Sequence, residues 1–413
     1  MTIQRILLSH KRFVSEHLWL KIYLEVKKKM KITIICDVLG EANNGTSLAA
    51  YNLINTLVNK GHDVKVVCPD PEKKCIAGYY VLKRLNLGFL NNYLKKNGVS
   101  LARGSRKIIK EACCDADIVH GLIPFCAAKS ALKYCRKHNI PFTSGFHMQA
   151  ENFTSHIFMM ASNLVNKCTY AFLWRTYYKK VNAIHYPTTF IRDYVKEYNK
   201  NNIPGYVISN GVNFKYFYPK QVERPEELKN KFVIIMSGRL SKEKNQQELL
   251  YAVKRSKYED KIQIMLTGDG PRRNYILKLG KRLKLTNPVI QQLFKHEELN
   301  TALWCGDLYV HTSIVEIEAI SCLEAIATGM VPVIADSKKS ATRMFALDDR
   351  CKYQSKNIDD LASHIDYWIE HPEEKAALQE KYQTFIKQFD FEECMDRMEK
   401  MLVEVSNNYH AKK

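Results

Sequence analysis

Phe232-Val233-Ile234-Ile235-Met236-Ser237-Gly238-Arg239-Leu240-Ser241-Lys242-Glu243-Lys244-Asn245 is the stretch on which the reading of the fold turns. Residues 232–236 form a short apolar run, which predicts a buried strand. A glycine turn follows, with Arg239 and Lys244 five residues apart ahead of the next helix. Arg239 offers bidentate contacts and Lys244 a point charge near a helix N-terminus, a combination suited to a diphosphate. A charged surface turn would look the same in isolation.

The same alternation of strand and helix spreads in both directions. Upstream, strands are predicted at 30–36, 63–67, 118–120, 142–144 and 205–209; downstream, at 263–267, 308–312 and 331–335. Asn43-Asn44-Gly45-Thr46 reads as a turn, after which Leu48, Tyr51, Ile54 and Val58 recur at helical spacing until Gly61-His62. Such alternation implies parallel sheets covered on both faces. It restarts near residue 205, where the turn Asn210-Gly211-Val212-Asn213 precedes a polar stretch containing Pro225. The expectation is an α/β protein of two doubly wound, Rossmann-like domains facing a cleft, residues 30–210 and 211–385. Residues 1–29 form a basic N-terminal extension, with seven Lys and Arg against Glu16 and Glu25, and 386–413 a C-terminal helical segment. Ligands in such sheets bind beyond the carboxyl ends of the strands, so the site belongs in the cleft.

Composition narrows the classes. At 413 residues and 46% hydrophobic the chain exceeds one ordinary domain and can bury large cores, which excludes a wholly disordered protein. No apolar run approaches the roughly 18–20 residues that span a bilayer. The 12 cysteines are scattered without metal-ligand pairs, and 1–30 lacks the pattern of a signal peptide; the thiols read as reduced, in the cytoplasm. The net charge of +20 calls for an anionic partner. Between residues 81 and 110 stand eight cations and no acid, interleaved with Leu82, Leu85, Leu90, Leu94, Ile108 and Ile109. This is the composition of a segment lying on an anionic membrane surface, or more plainly of a solvated face with core contacts. A nucleic-acid-binding protein would explain the charge, yet no helix-turn-helix, zinc or RNA-binding signature is present.

Further motifs end the later strands. Gly268 and Gly270, in Leu266-Thr267-Gly268-Asp269-Gly270-Pro271, permit close backbone approach to a ligand. Glu316 lies at the carboxyl end of the strand 308–312, placed to accept hydrogen bonds from sugar hydroxyls. Eight residues on, Glu324 is in line for the same site, although Ser321-x-x-Glu324 also fits a helix capping box. Asp115-Ala116-Asp117 imitates a metal-binding Asp-x-Asp, but it precedes an apolar strand and reads as ordinary loop acids; no metal site is expected.

Together these residues resemble the retaining glycosyltransferases of family 4, of GT-B fold, from Met30 to Phe389. The resemblance rests on Asn44-Gly45, Gly61-His62, Asn210-Gly211-Val212, Arg239 with Lys244, Gly268-Asp269-Gly270-Pro271 and Glu316 with Glu324. Where the commonest form reads Glu-Gly-Phe-Gly, this chain has Glu316-Ile317-Glu318-Ala319, similar to the subgroup that glycosylates diacylglycerol. Phe146-His147-Met148-Gln149-Ala150-Glu151-Asn152-Phe153 is similar to that subgroup's Tyr-His-Thr-Met-Tyr-Glu-Asp-Tyr. The resemblance implies a nucleotide-diphosphate sugar as donor, usually UDP-glucose, and front-face transfer with retention, with no cofactor or metal required. Arg239 and Lys244 would neutralise the departing diphosphate, Glu316 would hold the sugar and Glu324 the ribose. Gly45 and Thr46 would approach the diphosphate from the other domain, and His147 would serve acid–base chemistry or positioning. The acceptor would be a lipid hydroxyl such as diacylglycerol at the inner face of the cell membrane. The alternatives are a lipid-linked intermediate of capsule or cell-surface polysaccharide and a sugar-nucleotide epimerase of related fold.

Overall fold

The computed structural model describes residues 29–37, 45–86, 88, 101–155 and 162–412. Two all-parallel sheets organise it. The first contains β1 (Lys31–Ile35), β2 (Asp63–Cys68), β3 (Tyr79–Val81), β4 (Ile118–Gly121), β5 (Phe142–Gly145), β6 (Ala183–Tyr186) and β7 (Gly205–Val207). The second contains β8 (Phe232–Ser237), β9 (Ile262–Thr267), β10 (Ile290–Gln292), β11 (Leu308–His311), β12 (Pro332–Asp336) and β13 (Lys352–Gln354). Their orders are β3-β2-β1-β4-β5-β6-β7 and β10-β9-β8-β11-β12-β13. In each sheet the winding reverses beside its first strand, with Ile35 in register with Gly121 and Ile235 with Tyr309. Those two reversals are the switch points where ligands of this architecture sit.

The central strands are buried on both faces, as their runs of Ile, Val and Leu dictate. The four edge strands β3, β7, β10 and β13 are three residues each. Short edges offer little backbone to a foreign strand. The sequence reading misses three of them and also β6, whose Ala-Ile-His-Tyr carries a buried histidine in place of a wholly apolar run.

The last segment returns to the first sheet. The chain crosses between the sheets at Ser209–Asn213 and returns at Phe389–Phe391, where the Val212 amide donates to Phe389 O at 2.8 Å and the Phe391 amide to Val212 O at 3.0 Å. The helix Phe391–Ala411, capped by Asp390, then packs on the first sheet: Met395, Met398, Met401 and Leu402 share one core with Met30, Ile32 and Ile34. Residues 391–411 are therefore part of the N-terminal unit. Gly61-His62 belongs to this docking: the ring accepts the Met30 amide at Nδ1 (3.2 Å), and Nε2 lies 2.8 Å from Glu399 Oε1. Lys60 pairs with Asp396 and Glu399.

Asp115 pairs with Lys31 and Lys65, and Asp117 accepts the Lys31 amide at 2.8 Å, so both acids fasten loops to strands. In the basic segment, Leu82 and Ile109 are core residues, while Lys83, Arg84, Arg103, Arg106, Lys107 and Lys110 are exposed. Its residues 87 and 89–100, including Lys95 and Lys96, lie outside the described residues, as do 1–28. All twelve cysteines are free. Among the described residues no helix is long and apolar enough to cross a membrane.

Candidate active site

The carboxyl ends of β8 and β11 meet at the second switch point. After β8 the chain turns through Gly238, whose φ of 130° is open only to glycine. It reaches Arg239 and, at the threshold of the helix Gln246–Arg255, Lys244. This turn is pinned from below. Gln246 Nε2 donates to Arg239 O at 2.8 Å, and Thr312 Oγ1, just past β11, donates to Lys244 O at 2.8 Å. Ile314 N donates to Glu243 O at 2.9 Å.

Those bonds hold Lys244 against Glu316, and the two form a direct ion pair with side chains 17% and 12% exposed. His311 Nε2, fully buried at the end of β11, lies 3.3 Å from the same carboxylate oxygen. Burial alone would raise the Glu316 carboxyl, but Lys244 and His311 bring it down to about 2, so it is ionised at neutral pH. Burial pushes the His311 imidazole down from its ordinary value, against the pull of Glu316. The result is a fixed anion and a fixed cation side by side in a partly desolvated turn.

Gly268 and Gly270 lie tightly against the Arg239 turn. A Cβ at Gly268 would lie 2.2 Å from Gly238 O, and one at Gly270 2.4 Å from Leu240 O. The close approach they permit is to the backbone of the Arg239 turn, which they let settle against β9.

At Glu324 the competing capping-box reading falls. The helix Ile320–Ala327 is entered through Ala319 in the left-handed region, φ 60°, so Ser321 is its second residue and makes no capping box. Ser321 Oγ instead lies 3.4 Å from Ser237 O. The Glu324 carboxylate is buried and holds His296 Nε2 at 2.6 Å. Burial opposes the charge on His296, yet the Glu324 carboxylate raises its basicity above the ordinary histidine value.

The loop that leads into this helix is anchored at Glu316, Ile317 and Glu318. The Glu316 amide donates to Lys339 O at 3.3 Å, and Glu316 O accepts from Ala341 at 2.9 Å. Ile317 O accepts from Thr188 Oγ1 of the first unit at 2.9 Å. The buried Glu318 accepts Ser209 Oγ, Asn210 Nδ2 and, at 3.1 Å, the Asn210 amide. Facing neutral donors alone, its carboxyl is raised by burial to about 7.

On the first sheet His120, His147 and His185 gather at the ends of β4, β5 and β6. His147 and His185 meet edge to face with ring centroids 5.2 Å apart. His120 Nδ1 lies 2.8 Å from Thr143 Oγ1, and His185 Nε2 donates to Ile208 O at 2.7 Å. Burial pushes His120 down to about 3 and His185 to about 4, and moves His147 the same way, so the cluster is neutral at pH 7. A Cβ at Gly145 would lie 2.4 Å from His147 Cδ2; that glycine leaves room for the ring. Two residues on, Gln149 Nε2 donates at 3.0 Å to Lys339 O, the same carbonyl that receives the Glu316 amide. One peptide thereby joins the His147 loop to the Glu316 loop.

The predicted residues Arg239, Lys244, Glu316 and Glu324 thus converge on the end of the second sheet, and His147 stands at the end of the first. Gly45 opens the helix Gly45–Asn59, while Asn44 and the Thr46 side chain lie outside the described residues. His296, His311, Glu318 and Lys339 were not anticipated. His311 lay inside a predicted strand, next to its carboxyl end. Two grooves, of 360 and 500 Å³, share no residue with this site.

The family model for glycosyl transferases group 1 matches residues 218–385, and that for glycosyltransferase family 4 matches residues 43–216. The chain belongs to this family of glycosyltransferases, and its two sheets form the GT-B fold. It is 24% identical to an alpha-monoglucosyldiacylglycerol synthase of Streptococcus pneumoniae, over 74% of this chain and 71% of that protein. It is also 24% identical to a GDP-mannose-dependent alpha-mannosyltransferase of Corynebacterium glutamicum, over 75% and 73%. Among solved structures, Anabaena HepE in complex with UDP and glucose aligns over 91% of this chain and 100% of its own, with a TM-score of 0.70 at 16% identity.

Proposed function

We propose that this glycosyltransferase moves a hexose, with UDP-glucose as the preferred donor, to a lipid hydroxyl such as that of diacylglycerol, retaining the anomeric configuration. The observation that carries the reading is the Lys244–Glu316 pair at the ends of β8 and β11, with Arg239 in the same turn. Cations fixed where a diphosphate departs stabilise the charge that develops there. A carboxylate held ionised beside them can accept hydrogen bonds from sugar hydroxyls. On this reading the bond from C1 to the diphosphate oxygen breaks as the acceptor oxygen bonds C1 from the same face. The acceptor's proton passes to the departing phosphate oxygen. Glu324, oriented by His296, holds the ribose; Gly45 and Thr46 meet the diphosphate from the first unit, and His147 positions the acceptor. The relative from Streptococcus pneumoniae supports a lipid acceptor, and HepE supports a nucleotide-sugar donor.

The exposed cations Lys83, Arg84, Arg103, Arg106, Lys107 and Lys110 support work at an anionic membrane, on the inner face of the cell membrane. The test is a donor panel presented with diacylglycerol in mixed vesicles, products identified by mass spectrometry and the anomer by NMR. An α-linked glycolipid formed from UDP-glucose is expected. Transfer solely to a polyprenyl-linked sugar would move the protein to polysaccharide assembly, and an isomerised donor without transfer would make it an epimerase. Replacing Arg103, Arg106 and Lys107 with Gln should weaken binding to anionic vesicles; a wild type that ignores such vesicles at low salt would remove the membrane from the reading.

A further inference from the structure

Glu318 has no part in the chemistry described above, yet it is among the most completely engaged carboxylates in the molecule. It lies two residues beyond Glu316, is 3% exposed, and faces the first crossing of the chain between the sheets. One oxygen takes the Ser209 hydroxyl and the Asn210 amide; the other takes the Asn210 side-chain amide. The crossing is itself closely packed. Gly211 has a φ of 77°, and a Cβ there would lie 2.7 Å from Phe391 Cα, on the returning chain. Ser209 Oγ also accepts the Gly211 amide at 3.0 Å, so the hydroxyl that Glu318 receives shapes the same turn. The first crossing and the Glu316 loop therefore meet at one carboxylate, and the returning chain packs against that crossing. Among the described residues no cation pairs with it, so geometry, rather than charge balance, accounts for its place.

We propose that Glu318 is a positioning residue that fastens the Glu316 loop to the interdomain crossing, so that one hydrogen-bond cluster sets both the placement of Glu316 and the seating of the two sheets. The consequence for catalysis rests on the reading of Glu316 as a donor-binding carboxylate. In its ionised form Glu318 offers only acceptors, and three donors converge on them. Glutamine would turn an amide N–H₂ toward one of them. Glu318→Gln should then loosen the loop, whereas Glu318→Gln combined with Asn210→Asp restores a donor facing an acceptor.

Two measurements on the full chain test this. Hydrogen exchange of the ligand-free protein should speed up at least tenfold across residues 313–319 and 209–212 in Glu318→Gln, and return toward wild type in the double variant. In donor kinetics with UDP-glucose, KM should rise about tenfold with kcat within threefold, and the double variant should recover KM to within threefold. General destabilisation would instead lower the active fraction, cutting apparent kcat at constant KM. Unchanged exchange in Glu318→Gln, a loss confined to apparent kcat, or a folded double variant without recovery would each overturn the proposal. If the wild type uses no nucleotide sugar, the functional reading falls and the exchange measurement alone decides this one. Should Glu318→Gln fail to fold, Ser209→Ala removes one donor and should move exchange and KM in the same direction by about threefold; no movement in either would overturn the proposal.

Discussion

The carboxyl ends of the two sheets meet opposite electrostatic demands. At β8 and β11 the side chains are charged and paired: Lys244 with Glu316, and His296 with Glu324 close by. At β4, β5 and β6 they are three histidines that burial keeps neutral. The first arrangement suits a ligand whose charge grows as a bond breaks; the second suits a neutral hydroxyl. The sheets share a topology, so the division of labour lies in what stands at the strand ends.

The largest effect expected from breaking this contrast is at Lys244. Lys244→Ala removes one charge-assisted contact and should lower turnover about 10²–10³-fold, while circular dichroism shows a folded protein. Near-normal turnover would take the lysine out of the mechanism.

On the neutral side, His147→Ala should slow transfer to the acceptor by about 10²-fold, with donor affinity unchanged in calorimetry. Gly145→Ala should act in the same direction, because its new Cβ would displace the His147 ring. A Gly145→Ala enzyme with wild-type transfer rates would show that the position of the ring is immaterial.

A smaller effect is expected at Glu324. Glu324→Gln keeps the shape and removes the charge that holds His296, so donor KM should rise about tenfold, the equivalent of about 1.4 kcal/mol. Since no capping box exists here, melting temperature should barely move. A large fall in melting temperature with donor KM intact would return Glu324 to a structural role.

The last contrast is one of stability, and it separates the two sides by pH. His120 and His185 titrate in the fold at about 3 and 4, below the ordinary 6.5. Their neutral forms are favoured by the fold, so their contribution is full above pH 6.5 and is lost as pH falls toward 4. Each histidine loses about 1.4 kcal/mol for every pH step of one across that window. Urea midpoints should therefore drop between pH 6.5 and 4, and His185→Asn should flatten the drop. Glu318, raised to about 7, has the opposite sign: its contribution is full below pH 4.5 and fades toward pH 7. A slope unchanged by His185→Asn would assign the acid sensitivity elsewhere.

Much of this was readable from local sequence. Apolar strands ending in Gly238-Arg239 and before Glu316 announce a switch-point site, because strand, turn and cation lie in one continuous run. Three of the four edge strands were not legible: three mixed residues carry too little periodicity. Glu318 was hidden for a different reason, since its partners stand 108 and 109 residues away. The Ser321-x-x-Glu324 pattern misled because a left-handed Ala319 starts the helix early, which puts Ser321 inside its first turn.

The returning helix Phe391–Ala411 has a consequence for how the molecule comes into being. Its 21 residues leave the ribosome after every strand of both sheets, yet they complete the face of β1. The C-terminal unit can close its core while synthesis is still under way, but the N-terminal unit must wait with Met30, Ile32 and Ile34 uncovered. Loss of the helix Phe391–Ala411 would therefore be felt at β1, in the unit it covers rather than in the one it follows.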